Sequence, residues 1–240
     1  MKIALLSDLH GNGQALEAVA GAVEREGAAA VLCLGDVVGY GARPSECAAW
    51  ARRECEDVVR GNHDHAVAGS GDLGWFNSTA RRALIWTRDR LTAEERGWLG
   101  ELPYTVQREW VLLSHGHPLE PEAWVYVTSA QDARLALRGI SSPFVAVGHS
   151  HKPFCYIEGE GSAEPVPGEP ILLSDRRAVL NPGSVGQPRD GDPRASWAVL
   201  DDEEWTFTLH RTEYDAEGAR WEILEAGLPR ELGDRLLNGR

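Results

Sequence analysis

Short apolar runs that end in polar, chemically active residues recur along the first two-thirds of the chain and constrain its fold more than any other feature. Continuous Val, Ile and Leu stretches are typical of β-strands covered on both faces, as in parallel sheets with flanking helices. Between the first two runs, residues 14–26 place Leu16, Val19 and Val23 on one helical face. The pattern predicts a β-α-β start and an α/β fold. The runs are Ile3–Ser7, Ala30–Leu34, Asp57–Arg60, Trp110–Ser114 and Phe144–Val147.

A helical pattern occupies residues 76–100, outside the alternating strands and helices of the core. Within it, Thr92 and Glu95 form the signature of a capping box that begins a second short helix. We interpret the segment at about 74–101 as an overhang that could act as a lid. The tryptophans that we expect to pack against helices here are Trp75, Trp86 and Trp98.

From Phe154 onward, short apolar runs separated by turn residues predict β-hairpins. The stretch 158–169 is rich in Gly, Pro and Glu, and we expect a solvated loop there. The last segment, about 216–237, is weakly helical. No linker or internal repeat divides the 240 residues, so we predict a single domain over residues 1–240.

The charge balance limits the partners of this chain. Its formal net charge of −13 disfavours binding to extended nucleic acid or to anionic lipid. No apolar run approaches the length of a membrane span, and the four cysteines lack paired spacing. We therefore expect a cytoplasmic protein with reduced thiols and no membrane partner, and a homo-oligomer is left open.

Five polar clusters follow the predicted strands. Where parallel strands end at one edge of a sheet, such clusters converge, which is the usual place for a site in an open α/β fold. We also expect Asp8 and His10, two residues apart in an extended chain, to point to the same side and to share one ion. The clusters are Asp8-Leu9-His10, Gly35-Asp36, Gly61-Asn62-His63-Asp64, His115-Gly116-His117 and Gly148-His149-Ser150-His151.

These side chains predict a metal centre. Carboxylate and amide oxygens mixed with imidazoles, without thiolate, suit divalent Mn, Fe, Zn, Co or Ni. The ligands exceed the needs of one ion, so we predict two ions that share a carboxylate and leave positions open for water and substrate. The predicted ligands are Asp8, His10, Asp36, Asn62, His115, His149 and His151.

A pair of divalent ions makes an electropositive pocket, for which a phosphoryl group is the natural guest. An ion-bound water of lowered pKa would serve as the nucleophile. His63 is then not needed as a ligand. Flanked by Asp64, it is interpreted as an imidazolium that stabilises the phosphoryl oxygens or protonates the leaving oxygen.

In the order and completeness of these blocks, the sequence resembles the calcineurin-like metallophosphoesterases. The blocks D-x-H, G-D, G-N-H-D, H and G-H-x-H span residues 8 to 151. The resemblance implies a four-layer α/β/β/α sandwich of two mixed β-sheets flanked by helices. It also implies that one ion is bound by Asp8, His10 and His151 and the other by Asn62, His115 and His149. Asp36 would bridge the ions, and His63, assisted by Asp64, would act on the substrate.

Within that family the chain resembles the small bacterial phosphodiesterase-like members more than the protein phosphatases. The features that carry this are the D-x-H-G-N opening with Asn12 and the segment 181–189. We expect hydrolysis of small, nucleotide-like phosphodiesters by a metal-bridging hydroxide, with manganese the favoured ion. The alternatives are a phosphomonoesterase or protein phosphatase of the same fold, or a scaffold that has lost catalysis.

Two further residues are predicted to lie near the substrate. Asn12 follows the first cluster, and His117 stands where an extended H-x-H could turn either imidazole toward the metal. Segment 181–186 is interpreted mainly as turn chemistry. Arg189 is expected to belong to a salt-bridged loop, with a position near phosphate as the alternative.

Overall fold

The computed structural model describes residues 1–69, 72–174 and 176–240. Its strands are β1 (Lys2–Leu6), β2 (Ala30–Cys33), β3 (Asp57–Val58), β4 (Thr105–Gln107), β5 (Val111–Ser114), β6 (Phe144–Val147), β7 (Pro153–Ile157), β8 (Gly161–Ala163), β9 (Pro170–Leu172), β10 (Ala178–Pro182), β11 (Ala195–Asp201) and β12 (Thr206–Thr212). Its α-helices are α1 (Gly13–Glu26), α2 (Pro44–Glu54), α3 (Asn62–Val67), α4 (Ser78–Arg90), α5 (Ala93–Glu101), α6 (Ala130–Ala136), α7 (Ala216–Glu225) and α8 (Arg230–Leu236). Short 3₁₀ helices occupy Leu73–Trp75 and Pro121–Ala123.

The strands form two six-stranded mixed sheets. The first has the order β3-β2-β1-β11-β12-β9, in which β1, β2 and β3 are parallel. The second has the order β4-β5-β6-β10-β7-β8, in which β5, β6 and β10 are parallel. The parallel strands of each sheet therefore end at a common edge.

Alternation along the central strands builds three apolar layers. In β1, Ile3 and Leu5 face the cluster between the two sheets, whereas Ala4 and Leu6 face α1 and α2. In the second sheet, the residues of β6 alternate in the same way between that central cluster and the side covered by α6. This two-sided burial is why the strands are continuous apolar runs. The predicted four-layer α/β/β/α sandwich is confirmed.

Local signals fix the ends of several elements. The Asn12 side chain accepts a hydrogen bond from the Ala15 amide at 3.1 Å and caps α1, which ends at Gly27 with a left-handed φ of 72°. The capping box of Thr92 and Glu95 begins α5 as predicted. The solvated loop predicted at 158–169 is wrong in part, because β8 lies inside it and pairs with β7.

The helical segment after residue 74 forms an outer cluster with the C-terminal helices. Leu232 and Leu236 of α8 share this cluster with Ala80 and Ala83 of α4. Trp86 and Trp98 pack against apolar clusters as predicted. For Trp75 the packing prediction is wrong, since its residue surface is 89% exposed.

Within the described residues, no helix is both long and apolar enough to cross a membrane.

Candidate metal centre

The predicted site residues converge where parallel strands of both sheets end. Backbone hydrogen bonds join the loops that follow β1 and β2 of the first sheet. The Asp8 amide donates to the Gly35 carbonyl (2.9 Å), and the His10 amide donates to the Asp36 carbonyl (2.9 Å). In the second sheet, the Gly148 amide donates to the His115 carbonyl at 3.0 Å. The first sheet thus presents Asp8, His10, Asp36, Asn62 and His63, and the second presents His115, His149 and His151.

The backbone at these positions is left-handed rather than extended. The φ angles are 54° at Asp8, 48° at His10, 52° at Asp36, 65° at His149 and 58° at His151. The extended backbone expected for D-x-H and H-x-H is therefore wrong, although Asp8 and His10 still face the same group of ligand atoms. The backbone instead turns sharply after each strand, and these residues adopt left-handed φ angles that are rare for L-residues. Such backbone outliers are common at functional sites.

One group of ligand atoms comprises Asp8, His10 and His151. Nε2 of His151 lies 3.2 Å from Oδ1 of Asp8 and 3.0 Å from Nε2 of His10. The other nitrogen of each ring faces a carbonyl oxygen, since Nδ1 of His151 donates to Gln187 (2.6 Å) and Nδ1 of His10 to Val38 (3.3 Å). These bonds leave both Nε2 lone pairs directed at each other and at a carboxylate, an arrangement that suits a shared cation.

A second group comprises Asp36, His115 and His149. Nδ1 of His115 donates to the Leu34 carbonyl at 2.7 Å, and its Nε2 lies 3.3 Å from Oδ2 of Asp36 and 3.1 Å from Nδ1 of His149. The same Oδ2 lies 3.6 Å from Nε2 of His10. One oxygen of Asp36 therefore faces both groups.

Opposing charges set the protonation of these buried side chains. Burial would raise the pKa of Asp36 and of Asp8, but the neighbouring histidines outweigh it and hold both pKa values well below the usual range. Burial would also lower the pKa of His115, but the charges of Asp36 and Asp8 raise it to about 9. His149, by contrast, has its pKa lowered to about 3 by burial and by His115. Asp8 and Asp36 are therefore carboxylates at neutral pH, whereas His115 is an imidazolium and His149 a neutral imidazole.

Comparison with known proteins identifies the family. Residues 1–204 match the calcineurin-like phosphoesterase superfamily domain. The chain belongs to this superfamily. An uncharacterised protein of Methanocaldococcus jannaschii is 38% identical, with 99% of this chain and 98% of that protein covered.

Solved structures of similar chains share the fold of this calcineurin-like phosphoesterase. A crystal structure of a metallophosphoesterase from Sphaerobacter thermophilus is 39% identical and covers 100% of this chain and 99% of its own, with a TM-score of 0.91. A hypothetical protein from Pyrococcus horikoshii, 22% identical, covers 100% and 98% with a TM-score of 0.80. Membership of this family implies that the protein is a metal-dependent phosphoester hydrolase.

The donor set of this phosphoesterase fits divalent metal ions. Oδ1 of Asp8 and Oδ1 of Asn62 are buried oxygens without a hydrogen-bond partner among the described residues, as expected for atoms that face a cation. Gly61 and Gly148 allow neighbouring segments to approach the site closely. A Cβ at Gly61 would collide with Asp36, and a Cβ at Gly148 would collide with Ser7. His63 also forms a ligand-spaced group with His10 and Asp36.

His63 is oriented differently from the prediction. Asp64 does not pair with its ring, because Oδ2 and Oδ1 of Asp64 accept hydrogen bonds from the amides of Gly61 (3.0 Å) and Val38 (3.2 Å). The His63 ring packs edge-on against Tyr40 and Phe76, with centroids 4.5 Å and 5.2 Å away. Burial lowers the pKa of His63 to about 4, which favours the neutral imidazole over the predicted imidazolium in this structure.

Asp64 therefore supports the site through the backbone. Burial and the nearby charge of Asp36 raise the pKa of Asp64 to about 7, while its two hydrogen bonds to backbone amides partly offset that rise. The interpretation of Asp64 as a partner of the His63 imidazole is wrong. Its carboxyl group accepts a hydrogen bond from the N-cap residue Gly61 and so stabilises the first turn of α3, which carries Asn62 and His63.

The two residues predicted near the substrate lie outside the cavity wall. The Asn12 side chain caps α1 and donates to the Gly186 carbonyl at 2.9 Å, so both of its polar ends are used within the fold. His117 is half-buried and, in the described part of the chain, neither lines the cavity nor joins a ligand group. The structure therefore gives no support to a position of either residue beside the substrate.

Segment 181–189 supports the ligand loops. The Asn181 amide donates to the Gly148 carbonyl at 2.9 Å, and Ser184 Oγ donates to the Asp8 carbonyl at 2.9 Å. Besides forming a turn, this segment therefore holds the loops of Asp8 and His149 in position. Arg189 takes no part in the ion pairs of the neighbouring loop and lines the cavity, whereas its position near phosphate stays a prediction.

A cavity of about 1030 Å³ opens over the candidate ligands, and its aromatic wall was missed by sequence reasoning. Tyr126 stacks on His149 with centroids 4.0 Å apart, and Tyr40 lies 4.5 Å from His10. Trp124 adopts a left-handed φ of 53°. These residues stand in loops without periodicity, so apolar patterning carries no signal for them. From the helical segment, only its start reaches this cavity, with Trp75, Phe76, Asn77 and Ala80.

Metal binding by this phosphoesterase is expected to release a proton from His115. Because the raised pKa of about 9 keeps that imidazole protonated at neutral pH, a cation must displace the proton, and its affinity should rise with pH up to about 9. Displacement of one proton gives about a tenfold gain in Mn²⁺ affinity per pH unit. Calorimetric titration in buffers of different ionisation enthalpy measures the released protons. An affinity that is constant between pH 6.5 and 9 would contradict this expectation.

Proposed function

We propose that this protein is a dinuclear metal-dependent phosphodiesterase that hydrolyses small, nucleotide-like esters. The observation that carries the proposal is the position of Asp36 Oδ2, 3.3 Å from His115 Nε2 and 3.6 Å from His10 Nε2. An oxygen that faces two ligand groups is suited to bridge two cations. When bound, two divalent cations supply an activated water nucleophile and stabilise charge on the phosphoryl oxygens.

In this proposal the ligand roles follow the geometry. Asp8, His10 and His151 hold one ion, and His115, His149 and Asn62 hold the other. The backbone carbonyls of Leu34, Val38 and Gln187 fix the tautomers of three of these histidines, so that Nε2 is the ligand atom. Manganese is the ion we favour, since mixed carboxylate, amide and imidazole donors suit it.

His63 is proposed to act on the substrate. Its side chain lines the cavity, and Nδ1 is buried without a partner among the described residues. The negative charge of a bound phosphoryl group would raise the lowered pKa of this ring, so that the imidazole takes up a proton and passes it to the leaving oxygen. Tyr40 and Phe76 hold the ring in position by edge-on packing.

The cavity supports a small substrate over a protein or a polymer. Aromatic side chains from residues 75–76 and 124–126 border it, and such walls suit a nucleobase. The net charge of −13 disfavours extended nucleic acid. A catalytically inactive scaffold is disfavoured because six of the seven candidate ligands fall into ligand-spaced groups, and the seventh, Asn62, lines the same cavity. The four free cysteines accord with a proposed cytoplasmic location.

The test is a substrate panel on protein reconstituted with each metal. We expect metal-free protein to be inactive and the Mn²⁺-loaded protein to hydrolyse thymidine 5′-(4-nitrophenyl phosphate) with kcat/KM about tenfold or more above that for 4-nitrophenyl phosphate. Release of 4-nitrophenolate measures both reactions. Preference for the monoester would support the phosphomonoesterase alternative. No turnover with Mn, Fe, Co, Ni or Zn would support the scaffold.

A further inference from the structure

Three arginines come together on one wall of the cavity. Arg189, Arg235 and Arg240 all line it. The Arg240 amide donates to the Arg235 carbonyl at 3.3 Å, and the Gly191 amide donates to the Gly239 carbonyl at 2.9 Å. The bond between Gly191 and Gly239 thus brings the segment of Arg189 beside the segment that carries Arg235 and Arg240. Three arginines therefore border one cavity of a protein whose net charge is −13.

These guanidinium groups lack carboxylate partners. Within residues 1–69, 72–174 and 176–240, no Asp or Glu oxygen lies within 4.0 Å of Arg189, Arg235 or Arg240. On the same helix as Arg235, by contrast, Arg230 pairs with Asp234 at 3.2 Å. Since like charges that share a wall repel one another, their unpaired grouping favours a bound anion.

Apart from Asp36 at the candidate metal centre, the acidic side chains of the cavity belong to other segments. Asp72 accepts a hydrogen bond from the Gly74 amide at 2.7 Å and caps the 3₁₀ helix at Leu73–Trp75. Glu122 lies in the 3₁₀ helix at Pro121–Ala123. Neither carboxylate pairs with an arginine of the wall among the described ion pairs. The wall therefore retains its positive charge.

The arginine wall extends outward from the candidate metal centre. The Arg189 amide donates to the His151 carbonyl at 3.1 Å, and its guanidinium lies 5.7 Å from the Tyr40 ring, which also contacts His10 and His63. Arg235 and Arg240 belong to α8 and the residues after it. A substrate phosphate at the metal centre would therefore have Arg189 beside it, with two guanidinium groups left for another anion.

We propose that Arg235 and Arg240 bind a second phosphate group of the substrate, which makes the preferred substrate a nucleotide diester that carries a further phosphate. The inference rests on the proposed function, because the first phosphate is placed at the metal centre. Guanidinium groups form paired, charge-assisted hydrogen bonds with phosphate oxygens. Trp75, exposed at the border of the same cavity, offers a face on which the base can stack.

A matched pair of ligands tests this specificity. Adenosine 3′,5′-bisphosphate and adenosine 5′-monophosphate differ by one phosphate, and calorimetry measures their binding to metal-free and Mn²⁺-loaded protein. We expect the bisphosphate to bind about 10- to 100-fold more tightly, the gain typical of charge-assisted hydrogen bonds. The double variant Arg235→Gln/Arg240→Gln should bring the ratio close to one. Arg230→Gln, on the same helix, should preserve it.

The same comparison is then made for turnover. Thymidine 5′-(4-nitrophenyl phosphate) and its 3′-phosphorylated form share one leaving group, and the kcat/KM ratio between them should fall about 10-fold or more in the double variant. Equal binding of the two adenosine ligands, or a ratio that survives the double substitution, would overturn the inference. Arginine-dependent binding without hydrolysis of either ester would support the phosphate site and overturn the proposed function.

Discussion

Replacing Asp36 with Asn is expected to abolish phosphodiester hydrolysis. The substitution keeps the shape of the side chain but removes the charge of the one oxygen that faces both ligand groups, at 3.3 Å from His115 and 3.6 Å from His10. We expect kcat/KM to fall about 10³-fold or more, because each tenfold loss corresponds to about 1.4 kcal/mol of transition-state stabilisation. Metal content per chain should fall with it, as measured by plasma mass spectrometry.

The matched control is Asp57→Asn. Asp57 lies at the start of β3, away from the strand ends that carry the site, and it pairs with Arg108 at 2.7 Å. This variant should keep both metal content and turnover. Because His115 owes its raised pKa to Asp36, the Asp36→Asn variant should also lose the proton release on metal binding. Two bound ions per chain together with wild-type turnover in Asp36→Asn would refute the bridging role.

The second large effect is expected for His63→Gln. Its ring lines the cavity, and its proposed role is proton transfer to the leaving oxygen, so turnover should fall about 10²- to 10⁴-fold. Metal content should remain at the wild-type value, because the two ligand groups assigned to the ions do not need this ring. A combination of retained metal and lost kcat distinguishes a catalytic residue from a ligand.

His210→Gln is the control for that substitution. His210 stacks on Trp197 in the first sheet, with ring centroids 4.5 Å apart, and lies outside the cavity wall. A second readout uses the leaving group, since an ester with a more acidic leaving alcohol depends less on protonation. The defect of His63→Gln should shrink along such a series. Loss of metal in this variant would instead assign His63 to the ligand group that it forms with His10 and Asp36.

The sequence predicts the strand ends of this site well. β1, β2, β5 and β6 are buried on both faces, so their apolar runs are unbroken and the polar residues that follow are easy to recognise. The helices α2 and α6 were not predicted, because small residues such as Cys47, Ala51 and Ala133 form much of their buried faces. Small side chains give a weak apolar period.

The backbone conformation of the site could not be predicted from residue types. Asp and His adopt left-handed φ more often than most L-residues but still seldom, so residue type alone does not predict it and the surrounding fold holds them there. The role of Asp64 shows the same limit. Its position next to His63 in sequence suggested a paired side chain, whereas the start of α3 directs its carboxyl group to the amides of Gly61 and Val38.

The outer wall of the cavity depends on contacts between distant segments. Arg235 and Arg240 line it from a segment in which α8 packs on α7 and shares with α4 the apolar cluster that contains Leu232 and Leu236. Pairing across 48 positions of sequence, between Gly191 and Gly239, has no local signature. Sequence reasoning therefore predicted the side chains that are grouped at the base of the cavity and missed Arg235 and Arg240 on its wall.

The division of the candidate ligands between the two sheets has a mechanical consequence. Asp8 and Asp36 follow strands of one sheet, whereas His115, His149 and His151 follow strands of the other. An ion held by Asp8 and His151, or by Asp36 and His115, would cross-link the halves of the sandwich at the rim where their strands end. The halves would then separate only after the ions leave, so occupancy of the centre would couple the unfolding of both sheets into one cooperative event.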